Sequence, residues 1–162
     1  MSSGNRMDRR TLLLAASAFM ASHGAAGGDA GTRYRLDPAA SGRQSRRVHG
    51  GDGEIDVKFF FEPERPGRPA LFLQYDLPPG TSEGVHTHGV GRSEGAWDEY
   101  YYIVSGSGRM TIDGRDVAVK AGDHVHTPLG VPHGIANPSA RETLRVLLTA
   151  IARDGTEGSG IP

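Results

Sequence analysis

Apolar and polar residues alternate through most of the chain beyond Ile55, and the runs are short. Ile55-Asp56-Val57-Lys58-Phe59 opens with the two-residue period of a strand that buries one face. The run extends to Phe61, and Pro63, Pro66 and Pro69 end it. Residues 71–77 form a second predicted strand, closed by Pro78-Pro79-Gly80. A third carries His86 and His88, and a fourth spans 97–104. Residues 109–112 and 115–119 flank Asp113-Gly114, the two-residue signal of a type I′ hairpin. Residues 124–127, 133–136 and 143–151 complete a set of about nine strands, which predicts an all-β sandwich or barrel.

The first 54 residues lack this pattern. Asp8-Arg9-Arg10-Thr11-Leu12-Leu13-Leu14 leads into an alanine-rich apolar run that ends near Met20, followed by small residues to Ala26. A membrane span needs about 20 apolar residues, so the run reads as a cleavable signal over residues 1–26 rather than an anchor. Arg9 and Arg10, with a hydrophobic pair one residue further on, resemble a twin-arginine export signal, and the alternatives are an ordinary secretory signal with incidental arginines or a disordered leader. Either signal places the protein in the periplasm or outside the cell, with no stable membrane insertion once it is removed. Residues 27–54 hold Gly, Ser, Arg43, Arg46 and Arg47 with little apolar periodicity, and are expected to form a flexible arm. Tyr34 and Leu36 are candidates for an additional edge strand, and residues 153–162 form a tail.

Composition narrows the chemistry. A chain of 162 residues supports one core and is short for two. Its 24 glycines and 10 prolines suit an all-β fold with many turns. With no cysteine, thiolate nucleophiles, zinc–thiolate sites and disulfides are excluded, so reactive groups must be nitrogen and oxygen. A formal charge of −1 and the lack of a basic stripe interleaved with aromatics in the folded part argue against a nucleic-acid partner.

Two clusters carry the candidate chemistry. His86 and His88 lie one residue apart, so on a strand they share a face. Glu99 follows at the head of an aromatic run that reaches Gly106, and Gly122, Pro128, Gly130, His133 and Asn137 form the second cluster. These residues resemble the two motifs of the cupin family. The second motif (Gly, five residues, Pro-x-Gly, two residues, His, three residues, Asn) is matched without a gap. The first is matched in order by His86, His88, Glu99 and Gly106, with a longer connection over residues 89–98 in which Glu94 is the competing carboxylate.

The resemblance implies a single cupin jelly-roll β-barrel, a double-stranded β-helix, over residues 55–152. It further implies one divalent metal ion, iron, manganese, nickel or zinc, on His86, His88, Glu99 and His133. Such a donor set leaves two positions of a six-coordinate ion for a small-molecule substrate or ligand. Family membership also implies a homodimer. His126 and Tyr101 are the candidate catalytic groups, with Trp97 sharing the parity of Glu99 and Tyr101. His124 and His126 share one face, which points either into the pocket or outward, and only one of Gln74 and Tyr75 faces inward. An exported metal-dependent enzyme, dioxygenase-like or Lewis-acid, acting on a small oxygenated molecule is the expected function; a non-catalytic sugar- or acid-binding barrel is the alternative.

Overall fold

The computed structural model describes residues 36–61, 71–90, 92 and 95–153. Within them the protein is all-β, with nine strands: β1 (Arg43–Arg46), β2 (Ile55–Phe59), β3 (Leu71–Leu77), β4 (Trp97–Ser105), β5 (Ser107–Ile112), β6 (Arg115–Lys120), β7 (His124–Thr127), β8 (His133–Ala136) and β9 (Leu144–Ala152). They form a six-stranded sheet in the order β1-β2-β3-β9-β4-β7 and a three-stranded sheet in the order β6-β5-β8. Every pairing between these strands is antiparallel.

The alternation seen in sequence becomes the barrel interior. Ile55 and Val57, Leu73, Tyr75 and Leu77, Tyr101 and Ile103, and Val146, Leu148 and Ala150 are buried on the inner face of the large sheet. Met110 on β5, Val119 on β6 and Ile135 on β8 face them from the small sheet. Burying each large apolar side chain contributes about 1.5–3 kcal/mol, so this row of contacts is what holds the two sheets together. Asp113 and Gly114 both have positive φ, 48° and 73°, which gives the β5–β6 hairpin the expected I′ geometry.

Two expectations are corrected. The described part of the supposed flexible arm, residues 36–54, is folded: β1 pairs with β2 from Arg43↔Lys58 to Arg46↔Ile55, and Val48 is buried. Polar contacts hold it, which apolar periodicity does not reveal. Lys58 is buried on the strand and its Nζ donates to the carbonyls of Pro38 (2.6 Å) and Ser41 (2.9 Å) and pairs with Asp37 at 3.4 Å. Arg43 pairs with Asp76 on β3 at 3.0 Å. Leu36 is exposed and belongs to no strand, while Tyr34 and the signal lie outside the described residues.

The second correction concerns His86 and His88, which do not sit on a strand. His86 makes one isolated bridge to His133, with reciprocal backbone hydrogen bonds of 2.9 Å in each direction. The loop around it is fastened to the segment after β1 by backbone contacts that leave no room for side chains. A Cβ on Gly84 would lie 2.0 Å from the His49 carbonyl oxygen, and one on Gly51 2.0 Å from that of Ser82. These glycines are needed for close approach, and they bring His49 to the edge of the histidine cluster.

Candidate metal centre

The bridge places the His86 and His133 rings 4.5 Å apart, and the Gly130 N–H donates to the His88 carbonyl at 2.9 Å, fixing the third histidine's backbone. Glu99 points inward from β4. One donor atom from each of His86, His88, Glu99 and His133 lies within 4.8 Å of every other, so the four residues can hold a metal ion. His88, Glu99 and His133 are buried and His86 is partly so.

Hydrogen bonding orients the imidazoles. His86 Nδ1 faces the Gly84 carbonyl at 3.0 Å and His133 Nδ1 the Val131 carbonyl at 2.8 Å. A carbonyl only accepts, so both Nδ1 atoms carry the hydrogen and both Nε2 atoms turn to the centre. There His86 Nε2 lies 3.1 Å from His88 Nε2, His88 Nε2 lies 3.2 Å from Glu99 Oε1, and His133 Nε2 lies 2.9 Å from Glu99 Oε2. Burial, with His49 alongside, lowers the His86 pKa to about 4, so this ring is neutral at pH 7. Its bare Nε2 lone pair therefore faces a second imidazole nitrogen. A divalent cation satisfies all four donors together, and imidazole with carboxylate suits iron, manganese, nickel or zinc. Among the described residues His88 Nδ1 has no hydrogen-bond partner.

Glu99 is held by three donors besides His88. His133 binds Oε2, the Tyr101 hydroxyl donates to Oε2 at 2.6 Å, and Trp97 Nε1 donates to Oε1 at 3.2 Å. Burial alone would raise this carboxyl's pKa, but the hydrogen bonds from His133, His88 and Tyr101 outweigh it and keep Glu99 ionised. Tyr101 is fully buried, so it positions Glu99 rather than meeting a ligand. Trp97 lines the cavity and packs 4.7 Å from His88.

Behind Tyr101 lies a carboxyl that the sequence reading missed. Glu83 is buried, accepts from Tyr75 at 3.1 Å, and lies 3.4 Å from the Tyr101 hydroxyl. Burial and the nearby Glu99 charge push its pKa well above the ordinary range. Burial and the same carboxylates push both tyrosine hydroxyls up as well. Tyr75 is thus the inward member of its pair, whereas Gln74 turns to Asp76. His49, expected to lie in a mobile arm, stacks on His86 at 3.7 Å and approaches Glu83 at 3.9 Å. No local pattern marks either residue, because a loop-to-loop contact brings them here.

His126 is the site residue that the structure moves away. It pairs across from Tyr100, on the face opposite Glu99 and Tyr101, stacks on Tyr100 at 4.5 Å, and binds Asp98 at 3.2 Å. His124 lies on the same outer face beside Tyr102. Asn137 serves the fold: its Nδ2 donates to the Leu77 and Glu142 carbonyls, both at 2.8 Å. Glu94 lies outside the described residues.

A cavity of about 200 Å³ reaches His88 and Glu99 and is also lined by Trp97, His49 and Arg46. Arg46 lies on the same side of its strand pair as Ile55, its cross-strand partner.

Comparison with known proteins agrees with this geometry. The family described as Cupin domain matches residues 73–150. The chain is 40% identical over 91 residues to the oxalate-binding protein of Thermotoga maritima, covering 56% of this chain and 70% of that protein. The crystal structure of a predicted oxalate decarboxylase from Thermotoga maritima superposes with a TM-score of 0.59 at 31% identity, over 68% of this chain and 92% of that one. A Cupin 2 conserved barrel domain protein from Salinispora arenicola shares the fold, with a TM-score of 0.59 at 18% identity over 76% and 92% of the two chains.

Proposed function

Because the chain belongs to the cupin domain family, we propose that it holds one divalent metal through His86, His88, Glu99 and His133 and takes a small organic acid into the adjoining cavity. The convergence of three imidazole Nε2 atoms with a carboxylate carries the reading. When bound, the ion supplies Lewis acidity that polarises a coordinated oxygen. The protein's part is to present the donors: the Gly84 and Val131 carbonyls fix the His86 and His133 rings, while Tyr101 and Trp97 each donate to one Glu99 oxygen and fix the carboxylate's orientation. The Thermotoga maritima relatives are named for oxalate, which supports a carboxylate ligand here.

Elemental analysis tests the site. His133→Ala and Glu99→Ala lose most of the metal bound by the parent protein while keeping its β-sheet circular dichroism, and Glu94→Ala retains it. Equal metal in His133→Ala and the parent overturns the assignment.

Turnover is the second reading, favoured by His49 and Tyr75 lining the cavity as protic side chains outside the donor set. Loading the protein separately with iron(II), manganese(II), nickel(II) and zinc(II) and screening small acids distinguishes the outcomes. Iron-dependent oxygen uptake supports a dioxygenase, and metal-tolerant turnover supports a lyase, isomerase or decarboxylase. Tight binding without conversion leaves a binding protein.

A further inference from the structure

The cavity's walls differ in character from its floor. His88 and Glu99 belong to the donor set, but Val57, Phe59, Leu71 and Leu73, from the adjacent strands β2 and β3, make an apolar wall. Arg46 is the one cationic side chain of fixed charge on the lining, and among the described residues it has no ion-pair partner. A ligand that fits must therefore be anionic and carry a hydrocarbon body. Oxalate satisfies only the first requirement: both of its carbons bear oxygen, and it offers the wall nothing to cover.

We propose that the preferred ligand is a 2-oxo or 2-hydroxy acid with an aliphatic or aryl substituent. Its two neighbouring oxygens are directed to the metal site, its substituent lies against Phe59, Leu71 and Leu73, and Arg46 attracts its negative charge. The inference rests on the metal reading above and adds the ligand's apolar half. Each methylene withdrawn from water onto such a wall strengthens binding about fourfold, so a branched four-carbon substituent outweighs the loss of oxalate's second carboxylate.

The full chain, loaded with manganese(II) and checked for one metal per chain by elemental analysis, is titrated with oxalate, pyruvate and 4-methyl-2-oxopentanoate by calorimetry. Trp97 is the only tryptophan of the chain and lines the cavity, so its fluorescence reports entry independently of any turnover. The expected order is 4-methyl-2-oxopentanoate tightest, at least tenfold above both pyruvate and oxalate. Leu71→Asn, at a partly buried rim position, removes that advantage while leaving oxalate affinity within twofold. Arg46→Met weakens all three acids without loss of metal. Oxalate binding as tightly as the branched acid overturns the inference and leaves the metal reading standing. Equal weakening of oxalate and the branched acid by Leu71→Asn overturns the role of the wall. Failure of the parent protein to retain metal defeats both readings, and the elemental analysis identifies that case before any acid is added.

Discussion

Replacing Tyr101 by phenylalanine removes one oxygen from the interior, and the structure sets the size of the effect. That hydroxyl donates to Glu99 Oε2 at 2.6 Å, the short separation of a bond to an ionised acceptor, in a place without solvent access. Hydrogen bonds to charged groups are worth about 1.5–3 kcal/mol, and His133 remains on the same oxygen, so Glu99 stays ionised but less firmly aimed. Partners that orient a metal-binding side chain typically change metal affinity 10–100-fold when removed, which is the expected loss. The benzene ring is retained, so the packing of Tyr101 between its neighbours in the core is not the cause. The assay is a competitive chelator titration of manganese(II) or zinc(II) into parent and Tyr101→Phe protein, with urea unfolding of both metal-free forms alongside. An affinity within threefold of the parent, in a protein that unfolds at the same urea concentration, refutes the positioning role of Tyr101.

Asp76 gives a pH prediction. It ties β1 to the barrel, accepting from Arg43 at 3.0 Å and from Arg145 Nε at 2.6 Å. Burial raises its pKa, but the hydrogen bonds and charges of Arg145 and Arg43 outweigh this and lower it below the ordinary value. A carboxyl depressed in the folded state contributes stability that is complete above its unfolded pKa, about 3.9, and is lost as pH falls through the folded value. Asp76→Asn therefore lowers the melting temperature at pH 7, and the gap to the parent narrows as pH falls below about 4; a gap that does not shrink there contradicts the assignment. For export, Arg9→Lys with Arg10→Lys keeps the charge yet is expected to stop twin-arginine transport, and undiminished periplasmic protein on fractionation refutes that route. A homodimer is expected, since β1 leaves an exposed edge on the large sheet, and a monomer by light scattering at micromolar concentration refutes it.

Most strands were legible because each buries one face, and residues 71–77, 124–127 and 133–136 were bounded as the structure has them. The four candidate donors were legible through the cupin resemblance, even across the lengthened connection between His88 and Glu99, and they form a cluster able to hold a metal ion. What escaped the sequence depends on contacts between distant segments. β1 reads Arg-Gln-Ser-Arg, and its place comes from Arg43 reaching Asp76 and from backbone pairing with β2. The inward or outward aim of His124 and His126 followed from the register of β7 on β4, which alternation within one strand cannot supply. Glu83 and His49 meet the donors only because Gly51 and Gly84 let two backbones touch.

Glu83 also settles the charge of the centre. Its buried carboxyl lies beside Glu99 in the same tyrosine network, and two ionised carboxylates there would repel one another without solvent to screen them. The structure resolves this unequally. Glu99 accepts from His133, Tyr101 and Trp97 and stays ionised, whereas Glu83 accepts from Tyr75, and burial with the nearby Glu99 charge pushes its pKa well above the ordinary range. Glu99 is therefore the ionised carboxyl of the pair. A divalent ion held by the donor set would place positive charge against the cavity, whose lining also carries Arg46. The proposed preference for an anion with an apolar body rests on these groups and on the wall of Val57, Phe59, Leu71 and Leu73.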